Sequence, residues 1–348
     1  GVDTAEQILT KNVQMIVDKG VTLTRPLIMR LSFYCVLEVG MEDPDEPKDP
    51  ETPHFIPAYS QKVKASKEFQ TFQFDHSFVL NSLKSSMEGY VFHNQPLDTD
   101  DLLEQTVKLF NSCKTSLELF DMLHNMRAYD DSTYAHSLNV ALICRRIGKW
   151  LKVDAATLDT LTLCGLLHDI GKLKIPDEIL NKPDKYTDEE FDLVKRHTKF
   201  GYELLKTLNI DPHIKKAALL HHERCDGSGY PLKATQKDLD DFSMVVAIAD
   251  VYDAMTAARS YRAPLCPFQV IERFEQEGLQ KYKPKFILTF LQHIASTYQN
   301  NRVLLSNGQS ANIVMLNQQH LARPIVQLND NSCIDLSTRL DLHIQSIL

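Results

Sequence analysis

The chain has 348 residues, of which 43% are hydrophobic and 24% charged, and its formal net charge is −8. This composition is ordinary for a globular protein, and the length allows more than one structural unit. It argues against an extended nucleic-acid-binding face, because no block of basic residues stands out, and against a membrane-spanning helix, because no apolar run approaches ~18 residues. We therefore expect neither nucleic acid nor a membrane as a partner.

The seven cysteines are scattered along the chain, and no two of them form a CxxC pair. Isolated thiols in odd number are typical of a protein that keeps them reduced. The amino-terminal residues also lack the charged-then-apolar pattern of a secretion signal. We therefore expect a cytoplasmic protein.

The beginning of the chain divides into two segments of different character. In residues 1–41, an alternating stretch, a short capped helical stretch and a β-prone stretch predict a small α/β unit without pairs of catalytic residues. Residues 42–60 begin with a run, 42–53, that holds six acidic residues, one lysine and four prolines. Such a run cannot pack a core, so it predicts an exposed linker.

The rest of the chain is predicted to be mainly helical. Apolar residues recur at spacings of three and four through a helical lead-in, residues 61–126, and a second helical region, residues 127–300. Residues 301–348 change character, because strand-prone runs flank the pair Asn307-Gly308. This pattern predicts a short β-hairpin segment.

Capping residues locate the helices of the second region. The expected helix starts are Asp130 or Asp131, Asp154, Thr187, Asp211 and Ser243. Thr187 is followed three residues later by Glu190, a capping box, and a single helix is expected from about 188 to 207. Asp211 is followed by a proline, which suits the first helical position.

Seven residues on five of these helices carry side chains that bind metal ions: His136, His168, Asp169, His197, His221, His222 and Asp250. A lone buried histidine is usually a hydrogen-bonded core residue, but two adjacent pairs with a downstream aspartate are harder to explain structurally. Mixed nitrogen and oxygen donors suit iron, manganese, zinc or nickel. Asp169 has two oxygens and could bridge two ions, which form a clamp for displacement at phosphorus. Phosphate-ester hydrolysis is therefore the leading interpretation.

A loop between the histidine pair and Asp250 suggests a ligand-binding surface. Gly227 and Gly229 allow backbone conformations closed to other residues, so the loop can present Tyr230 to a ligand. Downstream, Arg259 and Arg262 could hold a phosphate or a guanine edge through their forked donors. Taken alone, an ordinary turn and exposed arginines would explain these residues equally well.

The combination of these motifs resembles the HD-GYP family, a branch of the HD metal-dependent phosphohydrolases that degrade cyclic di-GMP. The matching segments are HSLNVA (136–141), LLHDIGKLKIPDEIL (166–180), the helix of His197, HHERCDGSGYP (221–231) and IADVYDAMTAARSYR (248–262). The resemblance is strong over 127–300 and moderate over 61–126. The expected fold is thus mainly α, an HD-type helical bundle with a small N-terminal α/β unit and a short C-terminal β-hairpin segment.

The resemblance implies a centre of two divalent transition-metal ions, with iron or manganese favoured and zinc, nickel and cobalt as alternatives. One ion would be held by His136, His168, Asp169 and Asp250, and the second by Asp169, His197, His221 and His222. A hydroxide between the ions would be the nucleophile. Some members of the family bind a third ion through a glutamate, but Ser132 occupies that position here, so we expect two ions.

The resemblance also assigns catalytic and substrate-binding roles. Asp169 and Lys172 would be the catalytic residues, and Lys172 would stabilise charge on the attacked phosphate. Residues that would position the nucleotide are Lys172, Tyr230, Asp253, Arg259 and Arg262. The role of Asp253 is the most open, since it could equally form a salt bridge.

The expected activity is hydrolysis of cyclic di-GMP to linear pGpG, to GMP or to both. One alternative is a phosphodiesterase for 3′,3′-cyclic GMP-AMP. Another is a non-enzymatic sensor, in which the same site binds a cyclic dinucleotide or oxygen. A third is an HD hydrolase that acts on mononucleotides, although the glycine-rich loop favours a larger ligand. The sequence leaves a homodimer or a signalling-protein partner open.

Overall fold

The computed structural model describes residues 8–9, 15–17, 59–126, 132–182, 184–257 and 265–348. The chain divides into two units, Gly1–Ile56 and Pro57–Leu348. In the first unit, strand β1 (Ile8–Leu9) pairs antiparallel with strand β2 (Met15–Val17). The other elements predicted for residues 1–41 lie outside the described residues, and the five-part division of the chain stays a prediction.

The second unit is mainly helical, which confirms the predicted fold class. Its described α-helices are α1 (Tyr59–Ala65), α2 (Lys67–His93), α3 (Thr99–Ser112), α4 (Ser116–Met126), α5 (Thr133–Trp150), α6 (Ala155–Leu167), α7 (Asp177–Leu180), α8 (Asp188–Lys195), α9 (His197–Leu205), α10 (Pro212–Leu220), α11 (Asp241–Thr256), α12 (Pro267–Lys281) and α13 (Pro284–Thr297). Two 3-10 turns lie at Ile170–Lys174 and Gln236–Asp238. Among the residues that the structure describes, no helix is both long enough and apolar enough to cross a membrane.

Helices α5, α6, α10 and α11 pack against one another and form the centre of the bundle. Their inward positions carry fully buried apolar side chains such as Leu138, Leu166, Ala217 and Ile248. Helix α9 lies against α10 and against the 3-10 turn Ile170–Lys174. Because burial of each large apolar side chain contributes about 1.5–3 kcal/mol, this core holds the helix ends that carry the candidate site in fixed positions.

Several of the predicted helix starts are confirmed. The Thr187 hydroxyl accepts a hydrogen bond from the amide of Glu190, and the Glu190 carboxylate accepts one from the amide of Thr187. Asp154 caps α6, and Asp211 caps α10 with Pro212 at the first helical position. These caps satisfy amide groups that a helix leaves without partners at its start.

Two other predicted starts need correction. Helix α11 begins after Asp240, whose carboxylate accepts from the amide of Phe242. The predicted start, Ser243, is fully buried inside the helix. For α5 the cap is Ser132, whose hydroxyl accepts from the amide of Ala135, while residues 130 and 131 lie outside the described residues.

The single helix expected from 188 to 207 is in fact two helices, α8 and α9. The break falls at Arg196, whose amide donates to the carbonyls of Leu193 and Val194. The ring of the next residue, His197, donates from Nδ1 to the Val194 carbonyl at 2.6 Å. The break therefore places His197 at the beginning of a helix with its ring already oriented.

The predicted hairpin is present and belongs to a larger antiparallel sheet. Its two strands are β3 (Arg302–Leu305) and β4 (Ser310–Met315), joined through Gly308 with a φ of 84°. The strand order is β6–β5–β4–β3–β7, in which β5 is Ile325–Leu328, β6 is Cys333–Asp335 and β7 is Ile344–Ile347. One side of the sheet packs against the helical core through the buried side chains of Val303, Ile313 and Val326.

Gly171 permits the close approach of the 3-10 turn to helix α9. A Cβ atom at this position would overlap the carbonyl oxygen of His197 and the amide nitrogen of Gly201. Both obstacles are backbone atoms, so they cannot move without displacing the helix. We expect Gly171→Ala to destabilise the folded state by about 3 kcal/mol, the upper range for overpacking.

The matched control is Gly278→Ala in α12, where the nearest atom to an added Cβ would be Ile287 Cγ1 at 3.6 Å. There the added methyl group is expected to be neutral or to stabilise by about 0.5 kcal/mol. Urea unfolding of both variants checks the prediction. Equal unfolding free energies for the two variants would contradict it.

Candidate metal centre

The structure brings all seven predicted metal-ligand residues together at the centre of the bundle. Their side chains form two groups, in each of which the donor atoms lie within 4.8 Å of one another. The first group is His136, His168 and Asp250, and the second is Asp169, His197, His221 and His222. They come from the first turn of α5, the body of α11, the ends of α6 and α10, and the start of α9.

Asp169 lies between the two groups and directs one oxygen toward each. Its Oδ1 is 3.4 Å from Nε2 of His197 and 3.6 Å from Nε2 of His221. Its Oδ2 is 3.2 Å from Nε2 of His168 and 3.6 Å from Nε2 of His136. The carboxylate thus has the arrangement of a bridging ligand.

Hydrogen bonds to the backbone fix the ring orientation of three histidines. The Nδ1 acceptors are the carbonyls of Gly165 for His168 at 2.8 Å, Val194 for His197 at 2.6 Å, and Ala217 for His221 at 2.9 Å. With the proton on Nδ1, each ring presents the lone pair of Nε2 to the centre. Metal-binding histidines are commonly oriented in this way.

His136 is oriented by a carboxylate instead. Its Nδ1 donates to Oδ2 of Asp253 at 2.8 Å, and its Nε2 lies 3.1 Å from Oδ1 of Asp250. Burial acts to lower the pKa of His136, but the hydrogen bonds to these two carboxylates outweigh it and raise the pKa to about 9. Asp253 therefore lies behind His136 in a carboxylate–histidine pair, and its predicted contact with substrate stays a prediction.

Two buried polar atoms at the centre lack hydrogen-bond partners among the described residues. They are Nε2 of His168 and Oδ1 of Asp169. A buried polar atom without a partner costs about 1–3 kcal/mol, so such atoms call for a ligand. Both are atoms through which histidine and aspartate bind metal ions.

The protonation states also suit a metal ion. Burial lowers the pKa of His197 to about 3, and burial likewise lowers the pKa of the two histidines that follow α10. Burial acts to raise the pKa of Asp169, but interactions with His168 and Lys172 outweigh it and hold the pKa well below its ordinary range. Neutral imidazoles and ionised carboxylates are the forms that bind metal, so these four side chains fit divalent ions, whereas His136, with its raised pKa, would release a proton when an ion binds.

Lys172 is placed beside the bridging carboxylate by the 3-10 turn. Its Nζ lies 2.6 Å from Oδ2 of Asp169, and 21% of the side chain is exposed. The ammonium group is therefore within reach of both the centre and an incoming ligand. Arg259 and Arg262, the other predicted cationic residues, lie outside the described residues.

The glycine-rich loop folds back over the histidine pair. The Tyr230 ring is 4.6 Å from the His222 ring, and the Tyr230–Pro231 peptide bond is cis. A Cβ atom on Gly229 would overlap the backbone of residues 222–224, so only glycine allows this approach. Tyr230 is half-buried and forms one wall beside the centre.

Glu223 is a structural residue of this loop that the sequence analysis missed. It is fully buried, and its two carboxylate oxygens accept hydrogen bonds from the amides of Leu232 at 2.6 Å and Ala234 at 3.0 Å. The signal in the sequence was a charged residue directly after the histidine pair. Through these two hydrogen bonds, Glu223 anchors the part of the loop that follows Tyr230.

We expect Glu223→Gln to raise KM by roughly tenfold while the bound metal is retained. A glutamine offers only one acceptor oxygen, and its amide group would face one of the two loop amides, which costs about 1–3 kcal/mol. Steady-state kinetics with metal analysis on the same preparation checks this. The control is Glu203→Gln, which removes an exposed ion pair between Glu203 and Lys206. An unchanged KM for Glu223→Gln would show that the loop does not depend on this anchor.

Comparison with known proteins identifies the family. The family model described as "HD domain" matches residues 101–286, more than half of the chain. The chain belongs to the HD domain family. Within it, the order of the HD and GYP motifs and the relatives below assign the chain to the HD-GYP branch.

Three curated relatives illustrate this similarity. A 3′3′-cGAMP-specific phosphodiesterase of Vibrio cholerae is 34% identical over 183 residues, covering 52% of this chain and 35% of the relative. A cyclic di-GMP phosphodiesterase of Pseudomonas aeruginosa is 32% identical over 207 residues, covering 59% of this chain and 50% of the relative. A cyclic di-GMP phosphodiesterase of Thermotoga maritima is 35% identical over 178 residues, covering 50% of this chain and 48% of the relative. The matched part thus spans between a third and a half of these relatives.

Proposed function

We propose that the chain is a metal-dependent phosphodiesterase that hydrolyses a cyclic dinucleotide, with cyclic di-GMP as the favoured substrate. The observation that carries this proposal is the position of Asp169, which directs one oxygen to each of the two ligand groups. A bridging carboxylate between two histidine-rich groups is typical of centres that cleave phosphate esters.

The donor set supports two divalent ions, with iron or manganese favoured. His136, His168, Asp169 and Asp250 would hold one ion, and Asp169, His197, His221 and His222 the other. Ser132 supports two ions rather than three, because its hydroxyl is used to cap α5. When bound, such ions lower the pKa of water enough to provide a nucleophile near neutral pH.

The remaining roles belong to side chains around the centre. Lys172 would donate to a non-bridging phosphate oxygen and stabilise the charge that develops there. Tyr230 would line the site beside the nucleotide, and Arg259 and Arg262 would bind a phosphate or a base edge. Asp253 would hold the orientation of His136.

The curated relatives support the substrate class. Their names assign two of the three to cyclic di-GMP and one to 3′3′-cGAMP, so both compounds are candidates for this chain. Both share two phosphodiester links between purine nucleosides. We propose that the reaction takes place in the cytoplasm, and 3′,3′-cyclic GMP-AMP is the alternative substrate.

The test is metal content and product analysis on one preparation of the full chain, reconstituted anaerobically with iron or manganese. We expect about two ions per chain and release of pGpG or GMP from cyclic di-GMP. Turnover of 3′,3′-cyclic GMP-AMP but not of cyclic di-GMP would assign 3′,3′-cyclic GMP-AMP as the substrate. Full metal loading without turnover of either compound would refute the phosphodiesterase and favour a sensor. A site that takes up no metal in any condition would refute the ligand assignment.

A further inference from the structure

One large aromatic side chain near the centre is not part of the core. Phe191 lies on α8, and 44% of it is exposed to solvent. A single exposed aromatic residue needs no explanation by itself. The position of this one is unusual, because α8 leads through the break at Arg196 directly into the metal-ligand candidate His197.

Local contacts hold the start of helix α8. The Thr187–Glu190 capping box fixes its first turn. The Glu190 carboxylate also forms an ion pair with Lys182 at 2.7 Å. An aromatic ring on such a support loses little further freedom when it binds a ligand.

Phe191 extends a line of rings from the centre to the surface. Its ring centroid is 6.4 Å from that of Tyr230 at an interplanar angle of 79°. The Tyr230 ring is in turn 4.6 Å from that of His222. Two nearly perpendicular aromatic rings thus lie side by side, with Tyr230 next to His222 and Phe191 farther from the centre.

A cation completes this surface. Lys195, one turn after Phe191 on α8, has its Nζ 4.9 Å from the centroid of the Phe191 ring. The same ammonium group pairs with Asp192 at 2.5 Å. With an ammonium group over the ring and 44% of the residue exposed to solvent, Phe191 keeps aromatic surface on which a planar base can stack.

We propose that Phe191 is a base-stacking residue that binds a purine of the dinucleotide while the phosphodiester lies at the metal centre. The inference rests on the proposed function and extends it with a substrate-binding residue outside the HD and GYP motifs. Stacking uses the π-face that every base has, so Phe191 would bind guanine and adenine alike.

The experiment compares Phe191→Ala, Phe191→Trp and the control Phe78→Ala in the metal-loaded full chain. Phe78 lies on α2, is 63% exposed, and undergoes the same change of size. Two readouts are used: KM and kcat for cyclic di-GMP and 3′,3′-cyclic GMP-AMP, and the Kd of a hydrolysis-resistant phosphorothioate analogue of cyclic di-GMP.

For Phe191→Ala we expect KM and Kd to rise about tenfold or more, by a similar factor for both substrates, with kcat within about twofold. Phe191→Trp should restore wild-type values, because tryptophan also offers a stacking face. Phe78→Ala should change neither constant. Metal content and the thermal midpoint should be the same in all variants.

Three results would overturn the inference. One is a Phe191→Ala variant with the KM and Kd of the Phe78→Ala control. Another is a loss that tryptophan does not rescue and that follows a loss of metal or thermal stability, which would mark a structural role. The third is a loss confined to one of the two substrates. If wild-type protein hydrolyses no cyclic dinucleotide, the proposed function fails, and the Kd of the analogue still decides the stacking role. A wild-type chain that does not bind the analogue refutes both.

Discussion

Asp169→Asn is expected to lower turnover of a cyclic dinucleotide by about 10³-fold or more and to remove most of the bound metal. The physical reason is the position of this carboxylate, whose two oxygens serve different ligand groups. Asparagine keeps the shape but offers one neutral oxygen and an NH₂ group, which repels a cation. The bridge, and with it the clamp on the phosphate, is lost.

The measurement for Asp169→Asn is metal content by elemental analysis together with product formation under metal saturation. The control is Asp241→Asn in the first turn of α11, which removes an exposed pair with Lys283 and should change neither quantity. A thermal midpoint near that of the metal-free wild type would show that the variant folds. An Asp169→Asn variant with full metal content and wild-type turnover would refute the bridging role.

The metal-ligand candidates could be located from the sequence because they are encoded locally. His168 with Asp169, and His221 with His222, are adjacent in sequence, so each pair marks one helix end without knowledge of the rest of the fold. The spacing of apolar residues then predicted the helices that carry them. What the sequence could not supply was the distance between pairs, which depends on how α6 and α10 pack.

Residues that act through another residue were harder to identify. Asp253 is one turn from Asp250 on the same helix, but its hydrogen bond to His136 joins α11 to α5. Glu223 binds amides nine and eleven residues further along the chain. No periodic pattern marks such contacts, because they arise from tertiary packing rather than from the local preference of the chain.

The ends of the helices could also be predicted from the sequence only in part. Asp154 and Thr187 were predicted correctly because their caps are satisfied by residues three positions away. At Arg196, in contrast, helical propensity favours continuation, yet the Val194 carbonyl accepts from the Arg196 amide and from the His197 ring. Strand β7 was also missed, since it pairs with β3 far back in the chain, and so was β6, which has only three residues and pairs with the adjacent β5.

Lys172→Met is expected to lower kcat by about 10²–10³-fold while metal content stays close to that of the wild type. Its ammonium group is 2.6 Å from Asp169 Oδ2 and partly exposed, so it can reach a phosphate held at the centre. Loss of one donor that stabilises charge in the transition state typically costs a factor of this size. Since methionine retains an unbranched apolar side chain of similar length, the packing of the 3-10 turn should be preserved.

The control is Lys174→Met on the same 3-10 turn, where the ammonium group lies over the Phe92 ring at 5.6 Å. It removes the same charge two residues away and should leave kcat within about twofold, since its cation–π contact is a surface interaction. Steady-state kinetics and metal analysis of both variants distinguish two roles for Lys172. A fall in kcat at full metal content indicates charge stabilisation at the phosphate. A parallel fall in kcat and metal content would instead mean that Lys172 acts by holding Asp169 in place, and the predicted catalytic role would be wrong.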